Sequence, residues 1–229
     1  MIDWHSHLLP GIDDGSQSVS ESLSILSELV SQGVDVVAAT PHFIANDESV
    51  SSFIERRQLS YNRMVEQNSS GPPKILLGAE IKYYPGISRM EELEKLKIQG
   101  TNLLLLEMPI SRWTEYTVRE LSELASSKKV NVMLAHIERY MQMQSKEVWY
   151  RLLDNGIFMQ VNASYLLGLS KRKAIKQLTD GMIHFIGSDC HNMTSRPPKI
   201  KSAVDYIAKK IGADFVSQMN EFGYSQLDK

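Results

Sequence analysis

The stretch "MIHFIGSDCHN", residues 182–192, is apolar through Phe185 and Ile186 and turns polar at Asp189 and His191. A short apolar run with a polar C-terminal end is the pattern of a strand buried on both faces. Six other stretches follow it in outline: "IDWHSH" (2–7), "VDVVAATPH" (34–42), "KILLGAE" (74–80), "LLLLEMP" (103–109), "VNVMLAHIERY" (130–140) and "IFMQVNA" (157–163). Each reads as a strand.

Helical stretches lie between them. In "SVSESLSILSELVSQG" (18–33), Val19, Leu23, Leu26 and Val30 form one stripe, Ser18 and Glu21 fit a capping box, and Gly33 fits the stop. "TVRELSELASSKK" (117–129) and "SKEVWYRLLDNG" (145–156) have the same character. Strands alternating with helices predict a parallel sheet. No linker, repeat or low-complexity tract interrupts the series, so residues 1–229 are expected to form one domain. An open doubly wound sheet would satisfy the alternation. A closed barrel of about seven strands accounts better for where the polar residues fall.

Composition narrows the function. The chain has 229 residues, 42% of them hydrophobic, and a net charge of −2, with no basic excess to suit a nucleic-acid surface. The longest apolar run, "LLLL" at 103–106, is too short to span a bilayer. No basic segment leads into an apolar one as a secretory signal would, and the single cysteine, Cys190, agrees with a reducing compartment. A cytoplasmic protein without membrane insertion is expected.

The strand ends carry the chemistry. His5 and His7 end the first strand, His42 the second, Glu80 the third and Glu107 the fourth. His136 ends the fifth and is followed by Arg139; Asp189 and His191 end the seventh. In a βα barrel all these ends lie on one face, which is the face that carries active sites. Residues i and i+2 of a strand point the same way, so His5 with His7, and Asp189 with His191, are each able to serve one ion. Imidazole and carboxylate without thiolate suit zinc, iron or manganese. The set exceeds the needs of one ion and implies two or three. Clustered ions activate water and clamp phosphate oxygens.

Blander roles compete. His184 lies well before the polar end of its strand and reads as structural. Asp3 lies deeper than His5 and suits support of a ligand rather than ligation. Asp13 and Asp14 are common turn residues and would serve to cap the first helical region.

These segments, "MIDWHSHLLPGIDDG", "TPH", "LLGAEIKYYPG", "LLLEMP", "AHIERY", "VNASYLLG" and "GSDCHN", together resemble the PHP (polymerase and histidinol phosphatase) superfamily, and within it the bacterial protein-tyrosine phosphatase branch found with capsule and exopolysaccharide genes. The resemblance runs from Met1 to about Arg196. It implies a distorted, TIM-barrel-like, seven-stranded parallel βα barrel with up to three metal ions, most often manganese, iron or zinc being the alternatives. It would place one ion on His5, His7, Glu80 and Asp189, a second on Glu80, Glu107 and His136, and a third on Asp14, His42 and His191. Phosphate-binding arginines would fall at Arg139 and Arg196. The implied substrate is a phosphotyrosine protein, the tyrosine-rich tail of a bacterial tyrosine autokinase that controls polysaccharide assembly.

The expected mechanism is attack on phosphorus by a metal-activated water, with Arg139 and Arg196 holding phosphoryl oxygens. A tyrosine leaving group, with a pKa of about 10, needs less proton donation than an alkyl alcohol. Phe43, Tyr83, Tyr84, Trp113, Tyr140 and Tyr165 lie near the strand ends, where some would flank a phosphotyrosine ring and most would simply pack. The rivals are specific. Cys190 and Arg196 are separated by five residues, as in cysteine-dependent phosphatases, though the intervening "HNMTS" lacks glycine. Histidinol phosphate or a nucleic-acid phosphodiester would suit the same superfamily, and an amidohydrolase shares His-x-His. A non-catalytic, metal-dependent regulator of the kinase is the non-enzymatic alternative.

Overall fold

The computed structural model describes residues 1–67, 73–127 and 129–228. Lys128, inside the expected helical stretch 117–129, and residues 68–72 and 229 of the expected domain lie outside the described residues.

The strands are β1 (Ile2–Ser6), β2 (Val36–Ala39), β3 (His42–Phe43), β4 (Lys74–Leu77), β5 (Glu80–Lys82), β6 (Leu103–Glu107), β7 (Asn131–Leu134), β8 (Phe158–Asn162) and β9 (Phe185–Gly187). The helices are α1 (Val19–Ser31), α2 (Val50–Val65), α3 (Glu115–Ser126), α4 (Lys146–Asp154), α5 (Ala163–Leu167), α6 (Lys171–Thr179), α7 (Ile200–Lys210) and α8 (Ala213–Tyr224). All strand pairs are parallel, in a three-stranded sheet ordered β1-β2-β4 and a six-stranded sheet ordered β3-β5-β6-β7-β8-β9.

Two of the expected strands are therefore broken. The run 34–42 divides into β2 and β3 at Thr40–Pro41, and the run 74–80 into β4 and β5 at Gly78–Ala79. Proline cannot donate to a ladder. The neighbours still bond across the gap: the Gly78 N–H donates to the Ala39 carbonyl at 2.9 Å, and the Glu80 N–H to the Pro41 carbonyl at 3.0 Å. At the far side, the Asp189 N–H donates to the His5 carbonyl at 2.8 Å and the His7 N–H to the Cys190 carbonyl at 3.0 Å, which brings the end of β9 against β1.

The strands are buried on both faces, as their apolar runs require. Leu104 and Leu106 pack toward the helices, while Leu103 and Leu105 join an inner cluster with Trp4, Val36, Ala38, Leu76, Met133 and Phe185. Helix α8 closes one side of this cluster, Phe222 lying 5.4 Å from Phe185 and 5.8 Å from Phe158 between ring centroids.

Helix α1 starts and stops as its sequence dictates. Ser18 Oγ accepts from the Glu21 N–H at 3.2 Å, and Gly33 takes φ +79° just beyond the end. The Glu21 carboxylate reaches the Gln17 N–H at 3.0 Å rather than closing the box on Ser18. Its buried stripe is Ser22, Ile25, Leu26 and Leu29. Val30, expected inside, is 46% exposed, because the helix turns its Ile25–Leu29 face inward.

Candidate metal centre

The site begins with an irregularity in β1. Asp3 pairs with Val37 but Ser6 with Ala39, so β1 carries one extra residue against β2. This is a β-bulge, a common device for re-aiming side chains. Trp4 fills the inner cluster, and the next residue, His5, meets Glu80. Tight glycines make room. A Cβ on Gly187 would stand 2.5 Å from His5 Cβ, and one on Gly15 would stand 2.5 Å from His7 Cβ.

The expected residues converge. His5 Nε2 and His7 Nε2 are 3.1 Å apart and lie 3.2 and 3.1 Å from Glu80 Oε2, with Asp189 Oδ1 at 3.8 and 3.5 Å. His136 Nε2 lies 2.7 Å from Glu80 Oε1 and 3.6 Å from Glu107 Oε1. Asp14 Oδ1 faces His42 Nε2 at 3.4 Å and His191 Nε2 at 3.5 Å, and His42 Nδ1 lies 3.2 Å from Glu80 Oε2. Of the chain's six histidines, only His184 stands outside this set. His136 and Asp189 both adopt positive φ, +30° and +51°. Such backbone is strained for these residue types and concentrates at functional sites.

Neighbours that accept hydrogen bonds fix the imidazole tautomers. His7 Nδ1 donates to Asp13 Oδ2 at 2.8 Å, His5 Nδ1 to Gln160 Oε1 at 3.3 Å, and His191 Nδ1 to the Asp189 carbonyl at 3.0 Å. In a neutral ring each of these leaves the Nε2 lone pair facing the carboxylates, the arrangement a metal-binding histidine needs. Among the described residues, His136 Nδ1 and His191 Nε2 are buried and have no hydrogen-bond partner.

The electrostatics agree with a cation site. Burial lowers the proton affinity of His7, but hydrogen bonds to Asp13 and Glu80 outweigh it and raise the pKa to about 10. Burial opposes ionisation of Asp13 and Glu80, yet the histidines hold Asp13 at about 2 and Glu80 well below the usual carboxylate range. Burial and the nearby Glu80 charge raise Glu107. Burial, with the charges of His7 and Arg196, lowers His191 to about 4. Negative charges that hold a proton between imidazoles hold a metal ion by the same attraction. The donor set is nitrogen and oxygen only, which fits zinc, iron or manganese.

Both arginines sit at this site. Arg139 Nη2 and Arg196 Nη2 lie 2.6 and 2.7 Å from Asp189 Oδ2, to which Asn162 Nδ2 also donates at 2.7 Å. They line one wall of an open cavity of about 310 Å³ that also contains Asp14, His42, Glu80 and Glu107.

Several residues have roles the sequence left undecided or missed. Asp13, read there only as a turn or cap residue, orients His7 and accepts the His42 N–H at 3.0 Å. Gln160 and Asn162, in an apolar strand with no charged marker, support His5 and Asp189. Lys82 lines the cavity two residues beyond Glu80, a spacing that placed it on the same face. Asp3 supports backbone rather than an imidazole, accepting from the Ser188 N–H at 2.7 Å and the His5 N–H at 3.2 Å. Among the aromatics, Phe43, Trp113 and Tyr140 belong to the core, and Tyr140 Oη donates to the Ala135 carbonyl. Tyr83 and Tyr165 are tied by their hydroxyls to Glu120 at 2.7 Å and Gln177 at 2.8 Å. His184 accepts the Met159 N–H at 3.1 Å and packs on Phe158, apart from the cluster. Cys190 is fully buried in the core, and burial with the Asp3 charge pushes its thiol pKa up. That is the opposite of a nucleophilic cysteine.

Comparison with known proteins follows the same line. The chain is 30% identical to the tyrosine-protein phosphatase CpsB of Streptococcus pneumoniae, over 93% of this chain and 92% of that one. It is 25% identical to the tyrosine-protein phosphatase YwqE of Bacillus subtilis, over 96% and 89%. A crystal structure from a study of YwqE and CpsB, described as unique metal-dependent tyrosine phosphatases, superposes with a TM-score of 0.84 at 25% identity, covering 99% of this chain and 94% of that one. The family model for capsular polysaccharide synthesis proteins CpsB/CapC matches residues 1–222, and the chain belongs to that family.

Proposed function

We propose that this chain is a metal-dependent protein-tyrosine phosphatase of capsule or exopolysaccharide synthesis, acting in the cytoplasm as one domain. No helix among the described residues is long and apolar enough to cross a membrane. Its strand segments act as seven staves of a distorted barrel, β2 with β3 and β4 with β5 each forming one stave. The observation that carries the reading is the set of imidazole Nε2 atoms of His5, His7 and His191, freed by acceptors at their Nδ1 atoms and turned toward shared carboxylates beside two arginines.

His5, His7, Glu80 and Asp189 would hold one ion, Glu80, Glu107 and His136 a second, and Asp14, His42 and His191 a third, with manganese the expected metal. When bound, the ions supply an acidified water and neutralise phosphoryl charge. The chain's own residues do the rest. Arg139 and Arg196 pivot from Asp189 Oδ2 to the phosphoryl oxygens, which they bind through charge-assisted hydrogen bonds. Glu80 presents Oε2 to His5 and His7 and Oε1 to His136, so it would help to hold ions on both sides of the cluster. The protein substrate is expected to be the tyrosine-rich tail of a bacterial tyrosine autokinase.

The test is hydrolysis of a phosphotyrosine peptide beside histidinol phosphate, both with manganese. Preference for the phosphotyrosine peptide supports the reading. Preference for histidinol phosphate would assign the site to a small phosphomonoester instead.

A further inference from the structure

A second cavity, of about 250 Å³, adjoins the metal cavity and shares Arg139, Asp189 and Arg196 with it. Its lining is polar, with Glu138, Asn162, Ser164 and Lys199 among its residues. Glu138 is turned inward, where Oε1 accepts the Asn162 N–H at 3.2 Å and Oε2 is buried. The two arginines share the Asp189 carboxylate. Lys199 does not. It is exposed, at the N-terminal boundary of α7, and among the described residues no acidic side chain forms an ion pair with it. The start of a helix adds a partial positive charge of its own. Lys199 is thus the cavity's one cation without an acidic partner among the described residues, next to the wall that would hold the phosphoryl group.

We propose that this side cavity is a specificity subsite for an anionic side chain, carboxylate or phosphate, close to the phosphotyrosine in the substrate protein, with Lys199 as the residue that selects it. The inference rests on the phosphatase reading above. The anion sits against the exposed Lys199, away from the inward-turned Glu138 carboxyl. Free phosphotyrosine presents no neighbouring side chain to Lys199 and serves as the reference. An exposed ion pair of this kind affects specificity and encounter more than chemistry.

The test compares four substrates with manganese-loaded protein: free phosphotyrosine, and phosphotyrosine peptides whose neighbouring residue is glutamate, lysine or a second phosphotyrosine. The unmodified protein should favour the glutamate and second-phosphotyrosine peptides over the lysine peptide in kcat/KM by about two- to fivefold, the range of one exposed ion pair. The larger gain among the two tells whether carboxylate or phosphate is the better fit. Lys199→Gln should erase the preference and Lys199→Glu should reverse it, while turnover of free phosphotyrosine stays unchanged. An identical preference in Lys199→Glu would overturn the subsite. So would an equal fall for free phosphotyrosine and peptides, which would tie Lys199 to the phosphoryl group itself. Failure of the phosphatase reading looks different: the unmodified protein would turn over none of the four substrates, and the subsite would fall with it.

Discussion

His7 and Asp13 form a carboxylate–imidazole pair: His7 Nδ1 donates to Asp13 Oδ2 at 2.8 Å, and both side chains are nearly or wholly buried. The pair fixes which nitrogen of His7 faces the cluster. Supporting carboxylates of this kind typically contribute about 10- to 100-fold in metal affinity. Asp13→Ala should therefore weaken manganese binding by that order, read by titration of the metal-free protein. Unchanged affinity would show that His7 does not depend on Asp13 for its orientation.

Arg139 and Arg196 converge on one carboxylate oxygen, yet they are not expected to be metal ligands. Each alanine variant should lower kcat/KM for a phosphotyrosine peptide by at least about tenfold, the scale of a lost charge-assisted hydrogen bond. Metal content should remain at the unmodified level. Loss of metal in step with activity would mean that the arginines hold Asp189 in place rather than phosphate.

His184 offers a pH test away from the metals. Burial lowers its pKa, and its Nδ1 accepts the Met159 N–H. The folded state thus binds fewer protons at His184 than the unfolded chain does. Its contribution to stability is present above the unfolded value of about 6.5 and is lost as pH falls through it toward the lower folded value. Urea midpoints from about pH 8 to about pH 5 should fall further for the unmodified protein than for His184→Phe, with equal metal content at the upper pH. Parallel curves, or a variant that has lost metal, would contradict this.

Cys190 separates two phosphatase chemistries. It forms the backbone bridge to Ser6, and its side chain is fully buried in the core rather than lining the metal cavity. Cys190→Ser should cost about 1–3 kcal/mol of stability for the buried hydroxyl, less if it finds a partner, and keep activity within a few fold. A folded, metal-loaded variant without turnover would revive the cysteine mechanism.

Strand ends were legible because a parallel sheet buries both strand faces and leaves chemistry to the C-terminal edge. His42, Glu80 and His136 stand out against apolar runs and do meet one another or a shared partner in the fold. The bulge at Trp4–His5 was not legible, since a one-residue register shift leaves no mark in composition. Asp13 and Asp14 looked alike as turn residues. The family resemblance singled out Asp14 alone, and the fold adds the role of its neighbour, with Asp13 turned under His7 and Asp14 64% exposed and facing His42. The chain beyond Arg196 carried no motif, because apart from Lys199 at its start it is made of α7 and α8, which pack. Phe222 packs against the inner aromatic cluster and Tyr224 Oη donates to Asp35 at 2.6 Å.

The most direct measurement is phosphotyrosine-peptide hydrolysis by the unmodified protein before chelation, after it, and after manganese is returned, with bound metal determined at each stage. Turnover should vanish with the metal and come back with it, while His136→Ala, lacking a nitrogen that lies 2.7 Å from Glu80, should recover little at the same manganese concentration. Full turnover by protein shown to be free of metal would contradict a metal-dependent phosphatase.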